Sequence, residues 1–234
     1  MPGQTELKRL LILMAKEPVP GGSKTRLVPP LSDAEAADLY HAFLQDKVAQ
    51  MDQVNEVERA IAFLPASGRG YFERLAPQFR LIEQHGAQLS ARLTNVFDLS
   101  FTGGYDSVLA IDGDTPTLPP SYLQAGYDAL ETPSVDVVLG PCRDGGYYAI
   151  GMKEPHPSLF DVQMSTPNVT RDTLSQAEAA GLVVRCLPTW FDIDRPEDLE
   201  HLVESLNDVT NAPGYEAHAT RQQLQMDASY EAGE

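Results

Sequence analysis

Short apolar runs alternate with helical patterns along almost the whole chain, and this alternation limits the fold more than any other feature. Residues 10–14, 59–64, 79–83, 108–111, 135–140, 147–151 and 182–187 read as strands. Helical patterns fall between them, over 32–51, 67–75, 89–99, 120–130, 167–180 and 194–206. The first opens on Ser32-Asp-Ala-Glu35, a capping box, and places Ala36, Tyr40, Phe43, Leu44, Val48 and Met51 on one face. Thr166 and Asp194 are read as N-caps of the last two helices. Strands that alternate with helices build a mostly parallel sheet with helices on both faces. The expectation is a three-layer α/β/α, Rossmann-like sandwich in one domain over 1–207, with 208–234 as a polar, loosely attached or disordered tail.

In such a sheet the loops that follow strands gather along one edge, where ligands bind. Four loops carry polar or charged groups there. The run Val108 to Ile111 stops at Asp112-Gly-Asp114-Thr-Pro116. Residues i and i+2 of an extended chain point the same way, so both carboxylates can converge on one hard cation. The plain alternative is a strand ending in an Asx-type turn. The loop after the first strand, 15–27, holds Gly21, Gly22, Ser23, Lys24, Thr25 and Arg26. Its backbone amides and two cations suit phosphate oxygens, although the spacing is neither that of a P-loop nor that of a dinucleotide fingerprint. A basic surface loop is the competing assignment.

Arg143-Asp-Gly-Gly-Tyr-Tyr148 is the third loop. Asp144 suits a sugar hydroxyl or a general base, and the glycines suit either a ligand or a simple turn. The fourth, Trp190-Phe-Asp192-Ile-Asp194, again separates two carboxylates by one apolar residue. A carboxylate from it facing Asp114 completes an oxygen site for Mg²⁺ or Mn²⁺.

Composition removes other classes. A net charge of -17 argues against a nucleic-acid partner. Cys142 and Cys186 are too far apart in sequence for a thiolate metal motif, and the five histidines lack metal-type spacing. Cys142 is read as structural. No apolar run reaches the ~18 residues of a membrane helix, and residues 1–8 lack a signal pattern. A cytoplasmic protein with no membrane partner is the expectation.

Taken together, Met14-Ala-Lys-Glu-Pro-Val-Pro-Gly-Gly-Ser-Lys-Thr-Arg-Leu27, Asp112-Gly-Asp-Thr-Pro116, Asp144-Gly-Gly-Tyr-Tyr148, Ser165-Thr-Pro167 and Asp192-Ile-Asp-Arg-Pro-Glu-Asp-Leu199 resemble a bacterial family of glycosyltransferase-type proteins. That family is labelled as associated with radical SAM enzymes and arsenosugar biosynthesis. The resemblance spans about residues 8–206 and implies the nucleotide-diphospho-sugar transferase (glycosyltransferase A) fold. Ser23-Lys-Thr-Arg-Leu-Val-Pro-Pro-Leu-Ser32 is also similar to phospholactate guanylyltransferase. Lys16-Glu-Pro-Val-Pro20 stands where larger sugar nucleotidyltransferase families carry a glycine-rich start.

The resemblance implies a first reading as a metal-dependent glycosyltransferase that moves a sugar from a nucleotide sugar to a small-molecule acceptor. Lys24, Arg26 and Asp144 are its catalytic candidates. Ala15, Lys16, Gly22, Lys24, Arg26, Arg92, Asp112 and Gly113 are its nucleotide-binding candidates. Gly145, Gly146, Tyr147, Ser165 and Thr166 face the substrate, and Asp114, Asp192 and Asp194 take the metal. The alternatives are a nucleotidyltransferase that joins a nucleoside triphosphate to a phosphorylated small acid, and a non-catalytic nucleotide-binding module.

Overall fold

Seven strands pair into one sheet in the order β3-β2-β1-β4-β6-β5-β7 in the computed structural model, which describes residues 7–208 and 215–226. They are β1 (Arg9–Lys16), β2 (Glu58–Leu64), β3 (Arg80–Glu83), β4 (Ser107–Ile111), β5 (Val137–Pro141), β6 (Tyr147–Met152) and β7 (Val184–Cys186). All pairings are parallel except those of β6, which runs against β4 and β5. The link at residues 142–146 between β5 and β6 is too short for a crossover, which needs about a dozen residues, so β6 must turn back. The parallel strands therefore end on one edge, and β6 begins there.

The helices are α1 (Asp33–Asp52), α2 (Arg69–Leu75), α3 (Leu89–Thr102), α4 (Pro120–Leu130), α5 (Val169–Ala179), α6 (Pro196–Asn207) and α7 (His218–Gln223). β1 shows how they are layered. Leu11, Leu13 and Ala15 join α1, α2, α4 and α6 in one core. Leu10 and Ile12 point to the opposite face and join α3 and α5 in another. β4 is buried throughout, as expected of a central parallel strand. The α/β/α expectation is met.

Three local expectations change. The cap of α5 is Asn168 rather than Thr166, and Thr166 Oγ1 instead accepts from Asn168 N at 3.4 Å. Asp194 is not the cap of α6. The carboxylate of Asp198, three residues into the turn, takes the N–H groups of Asp194 and Arg195 at 2.9 and 2.7 Å, which frees the Asp194 side chain. The loosely attached tail is also corrected for residues 215–226. Asp46 of α1 accepts from Ala219 N at 3.0 Å, from Thr220 N at 2.8 Å and from Thr220 Oγ1 at 2.6 Å. Ala217 and Thr220 are fully buried, and Tyr215 N donates to Thr117 O at 3.0 Å. The polar pattern misleads here because two backbone N–H groups and the Thr220 hydroxyl of this segment satisfy the Asp46 carboxylate on α1. The rest of the tail prediction, 209–214 and 227–234, lies outside the described residues.

Candidate active site at the carboxyl edge of the sheet

α1 supplies the floor of the site. The loop Asp112–Pro116 lies along one face of this helix, at positions spaced by three and four residues. A Cβ at Gly113 would stand 2.9 Å from Tyr40 Oη and 3.1 Å from Leu44 Cδ2, so a larger residue would have to push these side chains aside. Lys47 Nζ reaches Thr115 Oγ1 at 3.0 Å and lies 3.9 Å from Asp112 Oδ1. Thr115 Oγ1 donates to the same Asp112 oxygen at 2.7 Å. The Gln50 amide donates to Pro116 O. Asp112 is thus turned inward to the loop and helix, while Asp114 faces outward.

Asp114 and Asp194 converge, and the group between them is a lysine. Lys24 Nζ lies 2.6 Å from Asp114 Oδ1, 3.1 Å from Asp194 Oδ1 and 2.6 Å from Ile193 O. Its side chain is only 4% exposed, against 61% for Arg26, whose guanidinium holds the other Asp194 oxygen at 3.0 Å. Lys24 adopts the left-handed backbone region at φ 49°, which tucks its side chain under the loop. Burial pulls the Lys24 ammonium down, but Asp114 and Asp194 outweigh it and hold the pKa above the usual lysine value. Burial alone would raise Asp194; Lys24 and Arg26 reverse this and lower it. Lys47 has no such compensation. Burial brings it to about 8 despite the charges of Asp112 and Asp114.

Asp192 lies elsewhere in the band of carboxylates. Ligand atoms of Cys142, Asp144 and Asp192 lie within 4.8 Å of one another. Burial first, then the charges of Asp144 and Asp112, push Asp192 to about 7. Asp112 also reaches about 7, chiefly through burial, with Asp114 adding to it. Crowded carboxylates whose proton affinity rises in this way suit a cation. The donors are mostly oxygen, which fits Mg²⁺ or Mn²⁺. The Cys142 thiol, pushed far up by burial and these carboxylates, is no thiolate ligand near neutrality.

The remaining candidates divide. Gly22 N and Ser23 N both donate to Val19 O, so these amides close a turn instead of facing a ligand. Ala15 O accepts from Gln84 Nε2 at 3.2 Å, and Lys16 stands exposed at the end of β1 with its N–H 3.4 Å from Tyr40 Oη. Arg92, on α3, turns back to Ala87 O at 3.4 Å. Asp144 accepts from Gly146 N at 2.7 Å. Gly145, at φ +93°, is required by packing, because a Cβ there would collide with Pro167 O. Gly145 O and Gly146 O accept from Thr170. Tyr147 Oη lies 3.9 Å from Met164 Sδ. Ser165 is exposed and Thr166 half-buried beside this loop.

Sequence reasoning missed Lys47, Tyr40, Thr115 and Gln50. The signal was present. Positions 40, 44, 47 and 51 share a helical face with the expected core residues, and a lysine on such a face is exceptional.

The sheet order is that of the nucleotide-diphospho-sugar transferase and cytidylyltransferase α/β fold, and similarity to transferases makes the chain a group-transferring enzyme. A structure from Desulfovibrio desulfuricans G20, provisionally described as a nucleotide-diphospho-sugar transferase, superposes with a TM-score of 0.84 at 28% identity over 94% of this chain and 96% of that one. A 4-diphosphocytidyl-2C-methyl-D-erythritol synthase from Anaerococcus prevotii DSM 20548 shares the fold at a TM-score of 0.60 and 12% identity, covering 86% of this chain and 96% of that one. In sequence, the chain is 30% identical over 186 residues to a 3-phospho-D-glycerate guanylyltransferase from Phenylobacterium zucineum (strain HLK1), covering 76% of this chain and 82% of the relative. Residues 47–166 match the family described as "Uncharacterized protein conserved in bacteria (DUF2064)". The chain belongs to that family. No helix among the described residues is long and apolar enough to cross a membrane.

Proposed function

We propose that the protein is a nucleotidyltransferase that joins a nucleoside triphosphate to a phosphorylated small acid and releases pyrophosphate. One observation carries the reading. Lys24 and Arg26 interleave with Asp114 and Asp194 in one cluster, with Asp112 and Asp192 beside it. A triphosphate and its counter-ion need this mixture of fixed cations and oxygen donors. The identity to the guanylyltransferase supports the same reading and makes GTP the first nucleotide to test.

The chemistry asks little of a base. A phosphate acceptor is already an anionic nucleophile. Its oxygen attacks the α-phosphorus, the bond to the bridging oxygen of the β-phosphate breaks, and pyrophosphate leaves with the electron pair. Arg26, largely exposed, can meet phosphate oxygens as a bidentate fork. Lys24 keeps positive charge beneath them. Asp192, with Asp144 beside it, would hold Mg²⁺ or Mn²⁺, which when bound neutralises charge on the phosphates, while Asp114 and Asp194 hold Lys24. Asp144, its carboxylate engaged by Gly146 N–H, shapes the acceptor loop in this scheme. The reaction draws on the nucleotide pool of the cytoplasm.

A second reading, sugar transfer from a nucleotide sugar, is favoured by Asp192. A carboxylate raised to about 7 is a competent general base for an acceptor hydroxyl. The experiment that separates the two incubates the protein with Mg²⁺, each nucleoside triphosphate and a panel of phosphorylated acids, and assays pyrophosphate. A parallel series offers nucleotide sugars and assays nucleoside diphosphate. Pyrophosphate release that depends on acceptor supports the proposal. Nucleoside diphosphate from the sugar series, without pyrophosphate, overturns it.

A further inference from the structure

We propose that Lys47 is a positioning residue. It fixes the Asp112–Pro116 loop on α1 so that Asp114 presents its carboxylate at the outer edge, and it does so without touching substrate. The inference rests on the transferase reading only for what the loop is for, not for how the loop is held.

Lys47 is fully buried in the middle of α1. A buried ammonium is a costly choice at a core position, because desolvation outweighs a single partner. A methionine of similar length would fill the same volume without that cost. The lysine is therefore doing something a packing residue would not. Its Nζ donates to Thr115 Oγ1 at 3.0 Å, and this hydroxyl in turn donates a hydrogen bond to Asp112 Oδ1 at 2.7 Å. The relay gives the inward carboxylate a donor and, 3.9 Å away, a positive charge. The loop is pinned on both sides of Asp114, by Asp112 before it and Thr115 after it.

Neighbouring contacts point the same way. Tyr40 and Leu44 close on Gly113, and Gln50 holds Pro116 O. One helical face thus meets Gly113, Thr115 and Pro116 in turn. Lys24 approaches the loop from the outer side and contacts Asp114 itself. Asp114 is caught between the Lys24 ammonium and a floor charged by Lys47.

The test compares wild type with Lys47→Met, Thr115→Val and the double variant. Three measurements are made on each: thermal unfolding, hydrogen exchange by mass spectrometry over the loop, and pyrophosphate release. Positioning predicts that Lys47→Met keeps or raises the melting temperature. It predicts that exchange of the peptide spanning residues 108–118 rises about tenfold or more while the rest of the sheet is unchanged. In turnover, kcat falls about tenfold or more with the KM for triphosphate altered less than about threefold. The double variant is no worse than Lys47→Met, since both changes break one relay. A kcat within twofold of wild type, unchanged loop exchange, or exchange that rises equally everywhere overturns the inference. If Lys47→Met does not fold, Thr115→Val decides by the same criteria. If the wild-type protein transfers nothing, the function reading fails and the exchange data still decide this one.

Discussion

Two lysines lie under the same aspartate loop, and their differences separate the strand-end half of the site from the helical half. Lys24 belongs to a strand-end loop and holds three oxygens, two of them from carboxylates. Lys47 belongs to the middle of a 20-residue helix and holds one hydroxyl, with a carboxylate at 3.9 Å. Burial weakens both ammonium groups. Charge wins at Lys24, whose pKa is raised, and burial wins at Lys47, which drops to about 8. Two buried ions of the same type thus diverge because of partner number and distance, as Coulomb's law requires when solvation is lost. A phosphate can compete for the carboxylate-bound lysine by offering equivalent oxygens. Nothing outside the protein reaches the helical one.

The largest effect should come from the residue both lysines serve. Asp114→Asn is expected to cut pyrophosphate release by about 10²–10³-fold, the scale of losing a key electrostatic group. A loss below tenfold would show that the cluster is not the reaction centre. Next comes Lys24→Met, expected to reduce kcat/KM by about 10²-fold and to raise the KM for triphosphate. It also leaves Asp194 with Arg26 alone, so the Asp194 carboxyl should titrate higher than in the wild type, which carbon-detected NMR can follow.

The comparison sharpens further with arginine at each position. Lys24→Arg is expected to keep a few per cent of the activity or more, because its loop can adjust to the larger fork. Lys47→Arg is expected to destabilise by about 1–3 kcal/mol, because a packed helix face cannot expand. Similar behaviour of the two variants in melting and turnover would erase the distinction drawn here. Asp46→Asn should cost about 1–2 kcal/mol, since a buried carboxylate holding three donors is replaced by an amide, with kcat changed less than twofold. The smallest effect is chemical. Cys186 is exposed and Cys142 buried with its thiol pushed up. Alkylation at pH 8 should therefore label Cys186 alone and leave activity intact.

The strand-end chemistry was legible where loops follow strands. The apolar run Val108–Ile111 located Asp112 and Asp114, and the glycine and proline content of 15–27 drew attention to Lys24 and Arg26. The pairing across the site was harder to read. Asp114 and Asp194 meet on a lysine because of a left-handed turn at Lys24, which pattern does not show. Asp194 has the type of a good cap, but the helix starts one residue later, with Arg195 as its cap and Asp198 closing the turn from inside the helix. Lys47 was hidden by its type, since a lysine in a helix is ordinarily solvated. The reading of Gly145 as a ligand contact met a different competitor, the close approach of Pro167, and Gly146 instead lies against the Asp144 carboxylate.

The anchoring of α7 on Asp46 has a consequence for synthesis. The contact joins residues 174 apart in sequence, and its acceptor is the neighbour of Lys47. A ribosome makes α1 early and residue 220 late. The helix that forms the floor of the site therefore waits, through most of translation, for the segment that fastens its outer side. Nascent or prematurely ended chains carry the aspartate loop on an unfastened helix, so competence to react should arrive late in the life of each new chain.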